Sequence, residues 1–294
     1  MASSSNQAAV YYVPESSIWP IVGAVGLFLA AFGFASSLNH HEFGNTVMNI
    51  GLVVTLVMIW GWFSDVISES IAGKYNKQVD ASFRWGMIWF IVSEVMFFAA
   101  FFGALFYARQ FSVPWLGGEG SKGPLQELIW PAFEATWPLL QLPNDTHLAP
   151  ATGVIGPWGL PLVNTLILLT SGATVTWAHH ALLQRDRVGL ISGLALTVIL
   201  GFIFVYLQIV EYGHAMHEYH LTLASGIYGA TFFMLTGFHG FHVTLGAIML
   251  TVILARAIWG HFTPENHFAF EAVAWYWHFV DVVWLGLFVF VYWL

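Results

Sequence analysis

With 294 residues, 58% of them hydrophobic and only 8% charged, the chain falls far below the roughly 25% charge of a soluble domain and reads as an integral membrane protein. Its net charge of −8 comes from scattered acids with no basic patch, which excludes nucleic acid as a partner. The absence of cysteine excludes disulfides, zinc–thiolate centres and thiol nucleophiles.

The first 18 residues, MASSSNQAAVYYVPESSI, contain no Lys or Arg. They lack the positive region of a signal peptide, so 1–18 is expected to be a polar tail that stays on the protein. Crossing the hydrocarbon core takes about 20 apolar residues. Seven runs qualify, at 19–38, 47–67, 86–108, 160–184, 189–211, 227–258 and 272–294, and there is no internal repeat. The expected organisation is a helix pair over 19–67, a loop over 68–85, and five helices over 86–294. Those five are interrupted by a long connection at 110–159, rich in Pro, Gly and Trp (PWLGGEGSKGP, IWPAFEATWPLL). An ordered loop with short helical pieces is expected there, its Trp side chains suiting the membrane interface. Pro161 falls near the start of the fourth run, where its missing N–H costs little.

Basic residues set the expected orientation. Lys74, Lys77, Arg84, Arg185, Arg187 and Arg256 fall on the side of the N-terminus, while Arg109 and Lys122 fall opposite. Six against two places the N-terminus in the cytoplasm, with the C-terminus and the 110–159 connection outside.

Inside the third run, GMIWFIVSEVMFFAAFFGALFYAR (86–109) carries one acid, Glu94. A charge at the centre of a spanning helix costs about 2.5–3.5 kcal/mol even on the lenient insertion scale. With Phe97, Phe98, Phe101 and Phe102 around it, Glu94 is expected to be neutral, or paired with His239 or His242 of GFHGFHV in the sixth run. Asp281 in WHFVDVVWL reads as the only other acid deep in a span, with His278 three residues before it on the same face. The 13 histidines raise a di-iron hydroxylase as one reading, but such a site needs its ligands at one depth. Here His179 and His180 end the fourth run, His239 and His242 sit near mid-span, and the remaining groups fall on the other side. A pair three apart on one helix is more often a buried polar pair bonded to neighbouring helices. A secondary transporter would show inverted repeats and broken helices, which this sequence lacks.

The segments RWGMIWFIVSEVMFF, TVTWAHHALL, LQIVEY, SGIYGATFFMLTGFHGFHVTLGAIMLT and NHFAFEAVAWYWHFVDVVWLGLFVFVYWL, with WPIVGAVGLF and SDVISES before them, closely resemble subunit III of the haem–copper cytochrome c oxidases, in a bacterial aa3-type version. The resemblance covers nearly the whole chain outside 112–157. It implies an all-α polytopic fold of seven transmembrane helices, the first two splayed from the other five around a V-shaped, lipid-filled cleft. It implies a subunit of an oxygen-reducing, proton-pumping enzyme that itself carries no haem, copper or catalytic residue. Such a subunit packs on subunit I, with subunit II and a small subunit IV elsewhere in the complex, supports proton uptake and protects against inactivation during turnover. Glu94 matches the family's carbodiimide-reactive glutamate, with His239, His242, His278 and Asp281 as buried polar companions. Trp62, Glu69, Arg84, Arg256 and His261 match phospholipid contacts. Relatives often carry basic residues where SDVISES has Ser64 and Ser68, and Lys74 is the candidate substitute. The same resemblance leaves a quinol oxidase as the alternative to a cytochrome c oxidase. The length of the 110–159 connection suggests a bacterial plasma membrane.

Overall fold

A computed structural model describes residues 12–13, 15–143 and 148–294. Most of the expected tail at 1–18 lies outside the described residues. Seven helices are long and apolar enough to cross a membrane, and the described residues contain no β-strand. They are α1 (Trp19–Leu38), α2 (Gly44–Ile71), α3 (Lys77–Tyr107), α4 (Leu160–Leu183), α5 (Arg187–Glu218), α6 (Gly226–Ile258) and α7 (Phe268–Leu287). All seven predicted spans are present, but several helices outrun the apolar runs. α2 runs to Ile71 and α3 starts at Lys77, so thirteen residues of the predicted 68–85 loop are helical, and α5 continues to Glu218 rather than ending at 211. Hydropathy marks only the stretch inside hydrocarbon, and a helix can continue as a polar turn beyond it.

The chain divides into two compact units, up to Phe83 and from Arg84 onward. In the first, α1 and α2 form a hairpin whose backbones touch. A Cβ on Gly33 would lie 2.1 Å from the backbone nitrogen of Met48, and one on Gly51 would lie 2.2 Å from that of Ala30. Lipid gives apolar side chains little reason to associate, so this close van der Waals approach of small residues is what holds such a pair. At the basic end, Trp19 Nε1–H donates to Asp65 Oδ2 at 2.6 Å, and the Tyr12 and Tyr75 hydroxyls each donate to Glu69 at 2.8 Å.

In the second unit, α4–α7 and the remainder of α3 bury a core of large aromatics, with Trp277, Trp284, Tyr276, Phe204 and Phe232 almost wholly enclosed. Side-chain hydrogen bonds tie the helices. Thr174 and Thr197 join α4 to α5 at 2.8 Å, and Tyr212 and Thr236 join α5 to α6 at 2.7 Å. The indole N–H groups of Trp277 and Trp284 donate across to Ser171 and Thr165 of α4 at 2.9 and 2.8 Å. Such bonds contribute roughly 0.6–2 kcal/mol each in a membrane.

The connection after α3 contains a π-helical turn (Ala108–Ser112) and short helices at Val113–Leu116 and Gly123–Ile129. It is pinned to the bundle. Phe133, Leu139 and Ala151 join the core, the Arg109 guanidinium lies 5.4 Å from the Trp137 ring, and the Thr152 amide donates to the Tyr219 carbonyl.

Candidate functional site

Several polar side chains of the second unit pair between its helices. α3 presents Glu94 and α6 presents His242, with Oε2 and Nε2 2.9 Å apart. The other ring nitrogen, Nδ1, lies 2.6 Å from the carbonyl of Phe238 one turn earlier. A carbonyl only accepts, so Nδ1 carries a hydrogen. Nε2 and the carboxyl therefore share a single proton. Whether it rests on oxygen or on nitrogen, the pair has no net charge. Rings close around it, with Phe98 at 5.0 Å and Phe97 at 5.9 Å from the imidazole. This arrangement offsets the cost of placing Glu94 within an apolar span.

His239, three residues away, turns to a different environment. It is fully buried, stacks on Trp284 at 5.2 Å and meets Phe204 edge-on, and neither ring nitrogen has a hydrogen-bond partner among the described residues. His239 and His242 thus do not converge on one atom.

On α7, His278 and Asp281 sit one turn apart, with Nδ1 and Oδ2 at 3.7 Å, too long for a hydrogen bond. His278 Nε2 reaches Thr176 Oγ1 of α4 at 3.3 Å. Gly172 of α4 makes room for the acid, since a Cβ there would lie 2.3 Å from Asp281 Oδ2.

A further acid lies deeper than Glu94. Glu211 on α5 is 1% exposed and accepts from the Tyr292 hydroxyl at 2.5 Å and from Gln208 Nε2 at 3.1 Å. The expectation that Asp281 is the only deep acid besides Glu94 is therefore corrected. α5 runs a further two turns, so Glu211 lies within the helix rather than at its end. The signal was present in LQIVEYGHAMHE, where Gln208 and Glu211 share a helical face and no proline follows within the segment.

A model of the family described as cytochrome c oxidase subunit III matches residues 9–294. Proteins named cytochrome c oxidase subunit 3 are similar from end to end: 42% identity in Carassius auratus and in Cyprinus carpio and 41% in Gadus morhua, each over 290 residues covering 98% of both chains. The chain belongs to the cytochrome c oxidase subunit III family.

The positions that this family resemblance assigns to phospholipid fall as follows. Trp62 is 46% exposed on α2, and the Glu69 carboxylate is held by Tyr12 and Tyr75. Arg84 pairs with Glu271 of α7 and lies 5.6 Å from the Phe268 ring. Arg256, near the end of α6, is only 5% exposed, because Phe262 covers its guanidinium at 4.6 Å. His261 follows it, its ring 5.6 Å from Trp259, with Nδ1 buried and unpartnered. Outside the spans, Glu265 meets Arg185 at 3.0 Å; a backbone hydrogen bond first, then that guanidinium, lowers its carboxyl pKa below the usual range. Burial first, then the Glu69 hydrogen bond, raises the Tyr75 phenol pKa.

Proposed function

We propose that this member of the family is the non-redox subunit III of a proton-pumping haem–copper oxidase, packed directly on subunit I, with haem and copper carried by partner subunits. Family membership over residues 9–294 carries the reading. By the resemblance, the chain supports proton uptake into subunit I and protects the enzyme during turnover, with subunit II and a small subunit IV completing the complex.

The midplane geometry supports a modulatory place for Glu94. It pairs with His242, whose ring packs against Phe97 and Phe98, as suits a residue that tunes packing. Phospholipid headgroups are assigned to Trp62 and Glu69 on the first unit and to Arg84, Arg256 and His261 on the second. Of these, Arg84 offers the more open guanidinium, its side chain 33% exposed.

The proposed setting is a bacterial plasma membrane, with the N-terminus cytoplasmic and the C-terminus periplasmic. It rests on the distribution of basic residues and the length of the 110–159 connection. The animal origin of the relatives quoted above favours the inner mitochondrial membrane as a second reading.

An affinity tag on this chain tests the assignment. Optical spectra and iron and copper analysis of the purified complex should show haem and copper, and the same assays on the chain stripped of its partners should show neither. Two irons in the stripped chain would restore the hydroxylase reading.

A further inference from the structure

At the end of the second unit where α4 finishes and α7 begins, three side chains converge that the oxidase role does not use. His179 Nε2 and Glu271 Oε1 are 3.9 Å apart, and His267 Nε2 is likewise 3.9 Å from Glu271 Oε1. All three atoms lie within 4.8 Å of one another, and the three side chains are partly buried.

The hydrogen bonding shows what the cluster lacks. His267 Nδ1 lies 3.1 Å from the Thr263 carbonyl. That nitrogen must carry the hydrogen, which leaves the lone pair on Nε2 facing Glu271. His179 Nε2 is buried and has no hydrogen-bond partner. His267 Nε2 and the Glu271 oxygen therefore face each other as two acceptors, and a neutral His179 with its hydrogen on Nδ1 adds a third. A positive species between them resolves the arrangement.

We propose that His179, His267 and Glu271 form a binding site for a divalent transition-metal ion of the zinc type. Two imidazoles and a carboxylate, with water in a fourth position, are a donor set that zinc uses. In a tetrahedral site with bonds of about 2.0–2.1 Å the ligand atoms stand about 3.4 Å apart, so the two His–Glu edges must close by about 0.5 Å from 3.9 Å and the His179–His267 edge from within 4.8 Å. The surroundings also have the form of a metal site. Ligating histidines ordinarily donate their other N–H to a carbonyl or carboxylate, as His267 does to Thr263. Arg84 pairs with Glu271 through Oε2, leaving Oε1 to bind in monodentate fashion and fixing the plane of the carboxylate. The same guanidinium repels a dication, so the site is suited to reversible occupancy rather than to a permanent structural ion.

The test uses the intact, purified complex. Equilibrium dialysis against zinc alone, followed by metal analysis, should find one more zinc per complex in the unmodified protein than in His179→Ala or His267→Ala, with iron and copper unchanged. Glu271→Gln removes a ligand and should weaken that zinc by more than the roughly 10–100-fold that the loss of a ligand's outer partner costs. X-ray absorption of the unmodified complex loaded with one added equivalent needs no variant. Once the spectrum of the complex as isolated is subtracted, it should show two imidazoles among the ligands. Equal zinc in the unmodified complex and both His variants, or an added zinc shell without imidazole, would overturn the proposal and leave a protonated imidazole as the species that neutralises the cluster.

Discussion

Glu94 and His242 lie 148 residues apart in sequence yet share one proton across 2.9 Å, because the Phe238 carbonyl fixes which imidazole nitrogen is left to face the acid. An ionisable group so placed can be replaced by an amide without leaving its partner unsatisfied. Glu94→Gln supplies an N–H to Nε2 and should keep most of the turnover and most of the proton pumping. Proton release per electron in reconstituted vesicles checks this. A fall to near zero would put Glu94 on the proton path.

Glu94→Ala should do more harm than Glu94→Gln. It leaves His242 Nε2 without a partner, at a cost of roughly 1–3 kcal/mol, and removes side-chain volume beside the His242 ring. The expected result is looser association of the chain with its complex, or faster loss of activity during turnover. Retention of the chain after detergent washing, compared between the two variants, measures it.

Tyr292→Phe removes one of the two donors to the buried Glu211 carboxylate and leaves only Gln208. A destabilisation of about 1–3 kcal/mol is expected from the weakened pairing, visible as a lower unfolding temperature of the complex. Adding Glu211→Leu and Gln208→Leu to Tyr292→Phe removes all three polar groups and should recover part of that loss.

Arg256→Ala removes a cation from the end of α6 and should reduce the anionic phospholipid retained by the complex, each such charge contributing about 1 kcal/mol near a membrane surface. Arg256→Lys should keep most of the retention. Native mass spectrometry of lipid content distinguishes the two. Unchanged lipid in Arg256→Ala would remove this residue from the headgroup contacts and leave its guanidinium as a packing partner of Phe262.

Gly33→Leu should separate α1 from α2. Even the first side-chain carbon would meet the Met48 backbone nitrogen at 2.1 Å, and overpacking of this kind costs at least about 1–3 kcal/mol. Cysteine cross-linking between the two helices, engineered near Ala30 and Gly51, should form readily in the native background and poorly in the variant.

The seven spans were legible because apolar windows of about 20 residues are an unmistakable signal. Their ends were not, because Lys77–Arg84 and Tyr212–Glu218 continue a helix in polar residues that hydropathy treats as loop. The same gap hid Glu211. For Glu94, sequence spacing offered two candidate histidines. His239 and His242 differ by about 60° around the helix axis, and only the packing of α6 against α3 and α7 decides that one turns to the acid and the other to Trp284. His267 and Glu271 carried a visible i, i+4 relation, but the third member of their cluster, His179, comes from a helix that ends more than 80 residues earlier.

The cross-links from Trp277 and Trp284 to Ser171 and Thr165 also order events during synthesis. α4 enters the membrane before α7 has been translated, so its inward hydroxyls must wait beside lipid or an assisting protein for the indoles they will receive. The Arg109 guanidinium, which donates to the carbonyl of Leu294 at 2.8 Å, waits longer still. Every segment of the second unit is thus made before its closing element arrives, and a nascent chain halted ahead of α7 would be a ready substrate for membrane quality control.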